Sequence, residues 1–527
     1  MLRMRSLASP LRSSPRVLPT SRLLTHLPQS PSVISSRCTL PTAAQTRQNR
    51  RFKATSGMSG AASSSAGYEA FGSFHTPSTA ALFARDDSAS DPAMVFASDI
   101  ASRRLQLQIN SVPNAANRSL FALDLETWTY LNHGAFGAPS KVAIEAAGHW
   151  RAQADAQPLN FNDRELFPLV VRAVKSLASF VGVAKPEELV LLPNATAGLH
   201  SVLASVLEGG DGTEEKTVVL FSTRYGAVRK MLQAVEGSSI GEVQVHEEPL
   251  SLEESYDDQK VLEKLERVLD AVEAAGRRVA LVVVDHITSN TAVTMPVKDI
   301  VQRCHARDSG VLVLVDGAHG LLNLALDLDE LGADYYVGNC HKWFCSARGA
   351  AFLHVARENG PRIEPRVISH GFFDGMQSAF MWTGLQDYSA WLALPQCLVF
   401  WRRQGVDETR EYMHTLAQDA AELLYSRWEM PDHLARERQV PSHKRHAMRL
   451  VQLPTSRRLC GGVVVNEKDP KATSTDAKRV QDGLHYIHHI EVPVKCVDGR
   501  LYVRLSAHVY NCLEDFEKLA DAAVTRD

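Results

Sequence analysis

Two residues in the middle of the chain have types and surroundings suited to chemistry. Asp316 follows directly on the apolar run 311–315, and Lys342 lies 26 residues further on, within the segment Asn339-Cys340-His341-Lys342-Trp343. A carboxylate at the carboxyl end of a strand and a lysine on a later strand-to-loop segment are the parts that pyridoxal phosphate chemistry requires. The amine forms a Schiff base with the cofactor, and the acid pairs with the pyridine nitrogen and keeps it protonated, so that the ring can accept a carbanion's electrons. On this reading Asp316 has a depressed pKa through its cationic partner, while apolar surroundings lower that of Lys342. Two plainer readings stand beside it: an Asp after a strand also caps helices, and a lone lysine also serves as a solvated surface charge.

The elements that must position these residues are visible from about Phe121 onward. Runs at 189–192, 217–221, 279–284, 311–315 and 351–354 are almost continuously apolar, as in strands covered on both faces. Between them, 196–207, 227–235, 252–275 and 297–307 have helical spacing. Alternation of this kind predicts an α/β fold with a mostly parallel sheet, and ligands then bind beyond the carboxyl ends of the strands. After about Asp387 longer helices and a few short strands, ending in Tyr502-Val503-Arg504-Leu505, predict a smaller second domain. The expected organisation is a large domain at 118–386 and a small α+β domain at 387–527. Neither G-x-G-x-x-G nor G-x-x-x-x-G-K-[ST] occurs, which removes the entry signals for dinucleotide and P-loop readings.

Charge separates the N-terminus from the rest. The 527 residues carry 57 Lys+Arg against 60 Asp+Glu, a net charge of −3 that argues against a nucleic-acid binder. Residues 1–68 contain no acid but nine Arg and one Lys, so the remainder stands at −13. An Arg- and Ser-rich, acid-free leader has the composition of a transit peptide. We expect 1–57 to be such a leader, with import into the mitochondrion; a plastid address, or a cytoplasmic form started at Met58, are the alternatives. Residues 58–117 read as linker and N-terminal extension. No stretch approaches the roughly 18 apolar residues of a membrane-spanning helix, so no membrane partner is expected. Eight cysteines without a C-x-x-C pair argue against a zinc ribbon or disulfide scaffold. The His485, His488, His489 cluster has helical spacing but no matching acid or thiol in the sequence pattern, and no metal site is expected.

Several segments then carry a resemblance in the right order: Tyr130-Leu131-Asn132-His133-Gly134-Ala135-Phe136-Gly137, then 190–199, 285–296, 315–319, 335–343 and 503–511. Together they resemble the class V aminotransferase family of fold type I pyridoxal-phosphate enzymes. The likeness is greatest to the branch of isopenicillin N epimerase-like proteins, L-cysteine desulfhydrases and hercynylcysteine sulfoxide lyases. The resemblance implies that Lys342 is the Schiff-base lysine, Asp316 the partner of the pyridine nitrogen, and His319 the hydrogen-bonding partner of the phenolic oxygen. It further implies that Asn194, Ala195 and Thr196 offer a helix N-terminus to the cofactor phosphate, a place that also suits a helix cap. Asn339 and His341 would reach the same phosphate. Tyr225 would lie over the cofactor ring, and Ser289 or His286 would touch the ring oxygen or the substrate. Thr383 and Gly384 would contribute from the neighbouring subunit of a homodimer. Arg504 would grip the substrate α-carboxylate through its planar fork, with His133 and Arg164 contacting the rest of the substrate.

The expected reaction begins with removal of the α-proton by Lys342. Loss of a β-sulfur substituent would make the protein a carbon–sulfur lyase acting on a sulfur-containing amino acid. Reprotonation would instead make it an epimerase or aminotransferase, and a catalytically silent protein of the same fold is the non-enzymatic alternative. Cysteine desulfurases also need a nucleophilic Cys in an R-x-G-x-H-C context. The nearest thiol, Cys496, stands eight residues before Arg504 without that context, which counts against persulfide formation.

Overall fold

A computed structural model describes residues 74, 77–85, 115–208, 215–236, 243–307, 310–356, 362–431 and 440–525. The expected leader at 1–57 and most of the segment 58–117 lie outside the described residues.

Seven strands form the central sheet: β1 (Leu189–Leu192), β2 (Lys216–Phe221), β3 (Val243–Glu248), β4 (Arg278–Asp285), β5 (Leu312–Gly317), β6 (Tyr335–Asn339) and β7 (Ala351–Val355). Their order is β1-β7-β6-β5-β4-β2-β3. The pairings from β3 across to β6 are parallel, and β7 runs antiparallel to both β6 and β1. The strands expected from apolar runs are all present. Two strands are not among those runs: β3, a partly exposed edge whose Val-Gln-Val-His-Glu-Glu sequence lacks a continuous apolar run, and β6, fully buried, whose Tyr-Tyr-Val-Gly-Asn sequence is only partly apolar.

Helices cover both faces. α1 (Ala195–Glu208) and α2 (Gly226–Glu236) bury Leu199, Val202, Leu203, Val228 and Leu232 against one side. α3 (Asp258–Ala274) and α4 (Val297–His305) bury Val261, Leu265, Leu269, Ile300 and Val301 against the other. The single helix expected over 252–275 is two. Ser251 caps a first turn at Leu252–Ser255 through a capping box with Glu254, and Asp257 then caps α3 by accepting from Gln259 and Lys260 N–H.

The C-terminal part contains a three-stranded antiparallel sheet, β8 (Met448–Gln452), β9 (Val494–Val497) and β10 (Arg500–Ser506), in the order β9-β10-β8. Strand alternation divides its side chains. Val451, Val494, Leu501, Val503 and Leu505 enter a second apolar core with α5 (Val406–Arg427), α6 (Ser474–His488) and α7 (Leu513–Ala523), while Leu450 and Tyr502 pack into the core of the large sheet. Arg504 therefore faces the large sheet. No described helix is long and apolar enough to cross a membrane.

Candidate active site

Three strand ends converge on the chemistry. β4 ends at Asp285, β5 carries Asp316 directly opposite it in register, and β6 ends at Asn339, three residues before Lys342. β1 runs in the same direction as β6, so its carboxyl end brings Asn194–Thr196 to the same edge. Asn339 Oδ1 accepts the Ala195 N–H at 3.0 Å and ties the two ends together.

Lys342 and His319 meet above this floor, with Nζ 3.4 Å from His319 Nε2. Trp343 Nε1–H donates to His319 Nδ1 at 3.2 Å. An indole can only donate, so Nδ1 is the unprotonated nitrogen and the neutral ring carries its proton on Nε2. Burial holds His319 neutral, well below the usual histidine range, with the positive charge of Lys342 acting in the same direction. Burial also pushes the Lys342 ammonium down to about 8, against the attraction of Asp316.

Asp316 differs from the expectation of a depressed pKa: burial raises its carboxyl, outweighing the Ala318 N–H it accepts at 3.1 Å and the attraction of Lys342. Burial and then the charge of Asp316 push Asp285 well above the carboxylate range. The physical reason is the missing counter-charge, since neither acid has an ion-pair partner among the described residues. Two buried carboxyls side by side favour a cation placed against them, which is what a protonated pyridine nitrogen supplies.

Arg504 is the complementary case, a guanidinium 3% exposed. It donates to the Ser289 carbonyl and weakly to Asn132 Oδ1 at 3.4 Å, while its Nε–H has no partner. Burial lowers it to about 10, against the opposing effect of Tyr130. A buried guanidinium without a protein anion is a built carboxylate site.

The remaining expected residues divide. Ala197 N–H is capped by Asn194 Oδ1 at 3.0 Å and Ala195 N–H is taken by Asn339. Thr196 is thereby left as the group at this helix start for which no partner outside the helix is found among the described residues. Asn194 and Asn339 thus fix the backbone of this helix start, and Thr196 is the group that could donate to a phosphate placed there. His341 donates Nδ1–H to the Ala350 carbonyl at 3.1 Å, so its Nε2 donates to an anion only in the protonated ring. Tyr225 is 43% exposed, its N–H bonds the Asp285 carboxylate, and no described ring packs on its face. Ser289 is held by Arg504 through its backbone. His286 Nδ1 bonds Tyr336 Oη at 3.0 Å, and burial lowers the ring to about 4.

Two expectations are not met within this chain, those for Arg164 and His133. Arg164 is half exposed, pairs with Asp163 at 3.0 Å and shares no hydrogen bond or ion pair with the Lys342 cluster. Thr383 and Gly384, expected to serve the site of a neighbouring subunit, share no hydrogen bond or ion pair with the cluster of their own chain; Gly384 accepts from Tyr388 Oη. His133 is not a substrate contact: it is fully buried behind Lys342. Its Nδ1 lies 2.7 Å from Tyr510 Oη and its Nε2 3.1 Å from the Lys342 carbonyl. His508 stacks on it at 3.9 Å and bonds the Trp343 carbonyl at 3.2 Å. The turn that carries the lysine closes through Cys345 N–H to the Lys342 carbonyl. Cys345 Sγ lies 3.5 Å from His508 Nε2 and 3.8 Å from His133 Nε2, but both rings are engaged by backbone carbonyls. Gly137, at φ +65°, completes this wall: a Cβ there would stand 2.0 Å from the His341 carbonyl and 2.7 Å from Lys342 Cα. His508 and Tyr510 were within reach of sequence reading, since both lie inside the 503–511 motif.

The residues present fit pyridoxal phosphate: a buried acid without an ion-pair partner for the ring nitrogen, an imidazole N–H for the phenolic oxygen, an open aromatic face, and a donor at a helix start for the phosphate. Fold and site together define a pyridoxal-phosphate-dependent enzyme. Comparison with known proteins gives the family. Residues 164–447 match the family described as aminotransferase class-V. An L-cysteine desulfhydrase of Arabidopsis thaliana is 30% identical over 418 residues, covering 74% of this chain and 86% of the relative. Isopenicillin N epimerase of Amycolatopsis lactamdurans is 30% identical over 420 residues, covering 75% and 94%. Among solved structures, a complex of the cystine C-S lyase C-DES with cysteine persulfide superposes with a TM-score of 0.56 at 19% identity, covering 75% of this chain and 96% of that one. That last likeness concerns the fold. The chain belongs to the aminotransferase class-V family.

Proposed function

We propose that the protein is a pyridoxal-phosphate-dependent carbon–sulfur lyase that acts on a sulfur-containing α-amino acid. The observation that carries the reading is the pairing of Lys342, whose pKa burial lowers to about 8, with the buried guanidinium of Arg504, which has no ion-pair partner among the described residues and leaves its Nε–H without a hydrogen bond. One is a proton acceptor and the other a carboxylate clamp, which together hold an amino acid with its α-proton toward the base.

Arg504 binds the α-carboxylate by two parallel charge-assisted bonds and fixes the substrate's orientation. Bound against Asp316, the cofactor supplies the electron sink that makes the α-proton acidic. Lys342 Nζ takes that proton, and the sulfur substituent departs from the β-carbon. His319 holds its Nε2 proton at the position the phenolic oxygen would take. The relatives named L-cysteine desulfhydrase support sulfur as the leaving atom. Cys496 lies on β9, donates to the Ala472 carbonyl at 3.0 Å, and has its thiol pushed up by burial. It is poorly suited to the role of a persulfide carrier.

Epimerisation is the second reading, favoured by the relatives named isopenicillin N epimerase. On either reading we assign Thr383 and Gly384 to the active site of a second copy in a homodimer. We assign 118–386 and 387–527 to the two domains, and 1–57 to an organelle-targeting leader. The name of one Arabidopsis relative carries the word chloroplastic, which supports a plastid address over the mitochondrial one. Incubation of the holoenzyme with L-cysteine and S-substituted cysteines tests the reaction: sulfide or thiol with equimolar pyruvate is expected. Recovery of unchanged substrate as a mixture of enantiomers would replace the lyase by the epimerase.

A further inference from the structure

A cleft of about 520 Å³ opens beside the Arg504 site, lined by Thr223, Asn290, Thr291, Ser474 and Lys495. It begins close to the substrate position: Asn290 follows Ser289, whose carbonyl holds Arg504, and Thr223 lies two residues before Tyr225. Its volume is in the range of small-molecule sites.

Lys495 is the unexplained group. Lys495 pairs with Tyr502 in the β9–β10 register, and alternation along β10 puts Tyr502 and Arg504 on one side. Lys495 and Arg504 therefore share the sheet face turned toward the large sheet. Lys495 is half-buried, yet no hydrogen bond or ion pair reaches its ammonium among the described residues. The charge it feels most is the like charge of Arg504, which adds to burial in lowering its pKa. Asp498 lines the exposed rim of the same cleft but makes no ion pair with Lys495. Buried lysines ordinarily pair or extend to water. Two neighbouring cations without a protein anion are compensated by a ligand carrying two negative groups.

We propose that Lys495 forms a second anion subsite, so that the preferred substrates are cysteine conjugates bearing a carboxylate beyond the sulfur. Arg504 takes the α-carboxylate, and Lys495 with the hydroxyls and amide of the cleft takes the distal one. This rests on the carbon–sulfur lyase reading for its substrate class.

The test compares S-carboxymethyl-L-cysteine with its neutral isostere S-carbamoylmethyl-L-cysteine on the holoenzyme. The acid is expected to have the higher kcat/KM by about tenfold or more, the worth of one charge-assisted bond. Lys495→Gln, or Lys495→Met if the first folds poorly, brings the ratio to about one, while Lys495→Arg retains a preference. A wild-type ratio near one, or a ratio unmoved by Lys495→Gln, overturns the subsite. Binding without turnover separates this from the function itself, with glutarate against butyrate titrated by holoenzyme absorbance. Tighter glutarate binding lost in Lys495→Gln, with no turnover of any conjugate, sustains the subsite and sinks the lyase. Turnover with equal binding of both acids does the reverse.

Discussion

The two sides of Lys342 are built on opposite principles. Behind it, His133, His508, Trp343 and Tyr510 are buried, and their hydrogen bonds go to backbone carbonyls, to one another or, from Trp343, to His319. In front of it, Asp316, Asp285 and Arg504 are also buried but make no ion pair among the described residues. A protein interior normally satisfies its buried polar groups. The groups behind the lysine, hydrogen-bonded within the protein except at His508 Nδ1, hold it in place, and the charged groups in front, which make no ion pair, await ligands. Substitutions on the two sides should therefore fail differently, the front losing ligand binding and chemistry and the back losing stability.

Lys342 itself belongs to both sides, and its loss is the largest effect expected. Lys342→Ala should lower lyase turnover by about 10³-fold or more, removing both the covalent anchor and the proton acceptor. Borohydride treatment followed by peptide mapping should label Lys342 in the parent and no lysine in the variant. Labelling at another position would displace the whole assignment.

The front acids come next. Asp316→Asn keeps the shape but removes the charge that a pyridinium needs, and should weaken cofactor binding by about 100-fold, the scale of breaking a buried pair. Asp285→Asn should act oppositely on the cofactor-free protein and raise its melting temperature by removing one of two facing carboxyls. Absorbance titration and thermal melts read the two effects. A stabilised Asp316→Asn that still binds cofactor tightly would reverse the roles of the pair.

Proton affinity gives a finer measure. Cofactor capture requires the neutral Lys342 amine, and burial lowers its pKa to about 8. In the cofactor-free protein the amine is protonated below that value. The capture rate should thus rise about tenfold per pH unit below 8 and level off above it. A rate still climbing through pH 10 would mean an ordinary, solvated lysine. Stopped-flow absorbance across pH 6–10 decides between them.

Which of these groups could be read from the chain followed from how local their signals are. Asp316, His319 and Lys342 stand at the ends of apolar strands, and their order along the chain is enough to suggest the site. Asp285 ends an equally visible strand, but its role depends on lying opposite Asp316, and register between parallel strands joined by a helix is not written locally. His133 was misplaced because its neighbours in the motif suggest an entry loop, whereas its partner Tyr510 is 377 residues away. Lys495 did leave a trace: Asp498 and Gly499 both have positive φ, at 48° and 74°. An Asp-Gly pair between two apolar runs predicts a tight hairpin, which sets Lys495 opposite Tyr502. The split of 252–275 into two helices was legible from its two caps, Ser251 and Asp257.

The smallest predicted effect is the sharpest test of the contrast. Burial keeps the Tyr510 phenol protonated, so its hydroxyl donates to His133 Nδ1, and the ring's remaining proton on Nε2 goes to the Lys342 carbonyl. Tyr510→Phe removes one donor and strands a buried acceptor, which costs about 1–3 kcal/mol of stability. Cofactor and substrate binding should change only a few-fold, because no group facing them is altered. Arg504→Lys should give the complementary result, since it keeps the buried charge but loses the planar fork that takes the carboxylate: a raised KM for the amino acid with a melting temperature close to the parent. Chemical denaturation and steady-state kinetics on both variants read the crossover. If Tyr510→Phe instead lost substrate binding while keeping its stability, the wall behind Lys342 would be part of the binding site, and the division between the two sides would fail.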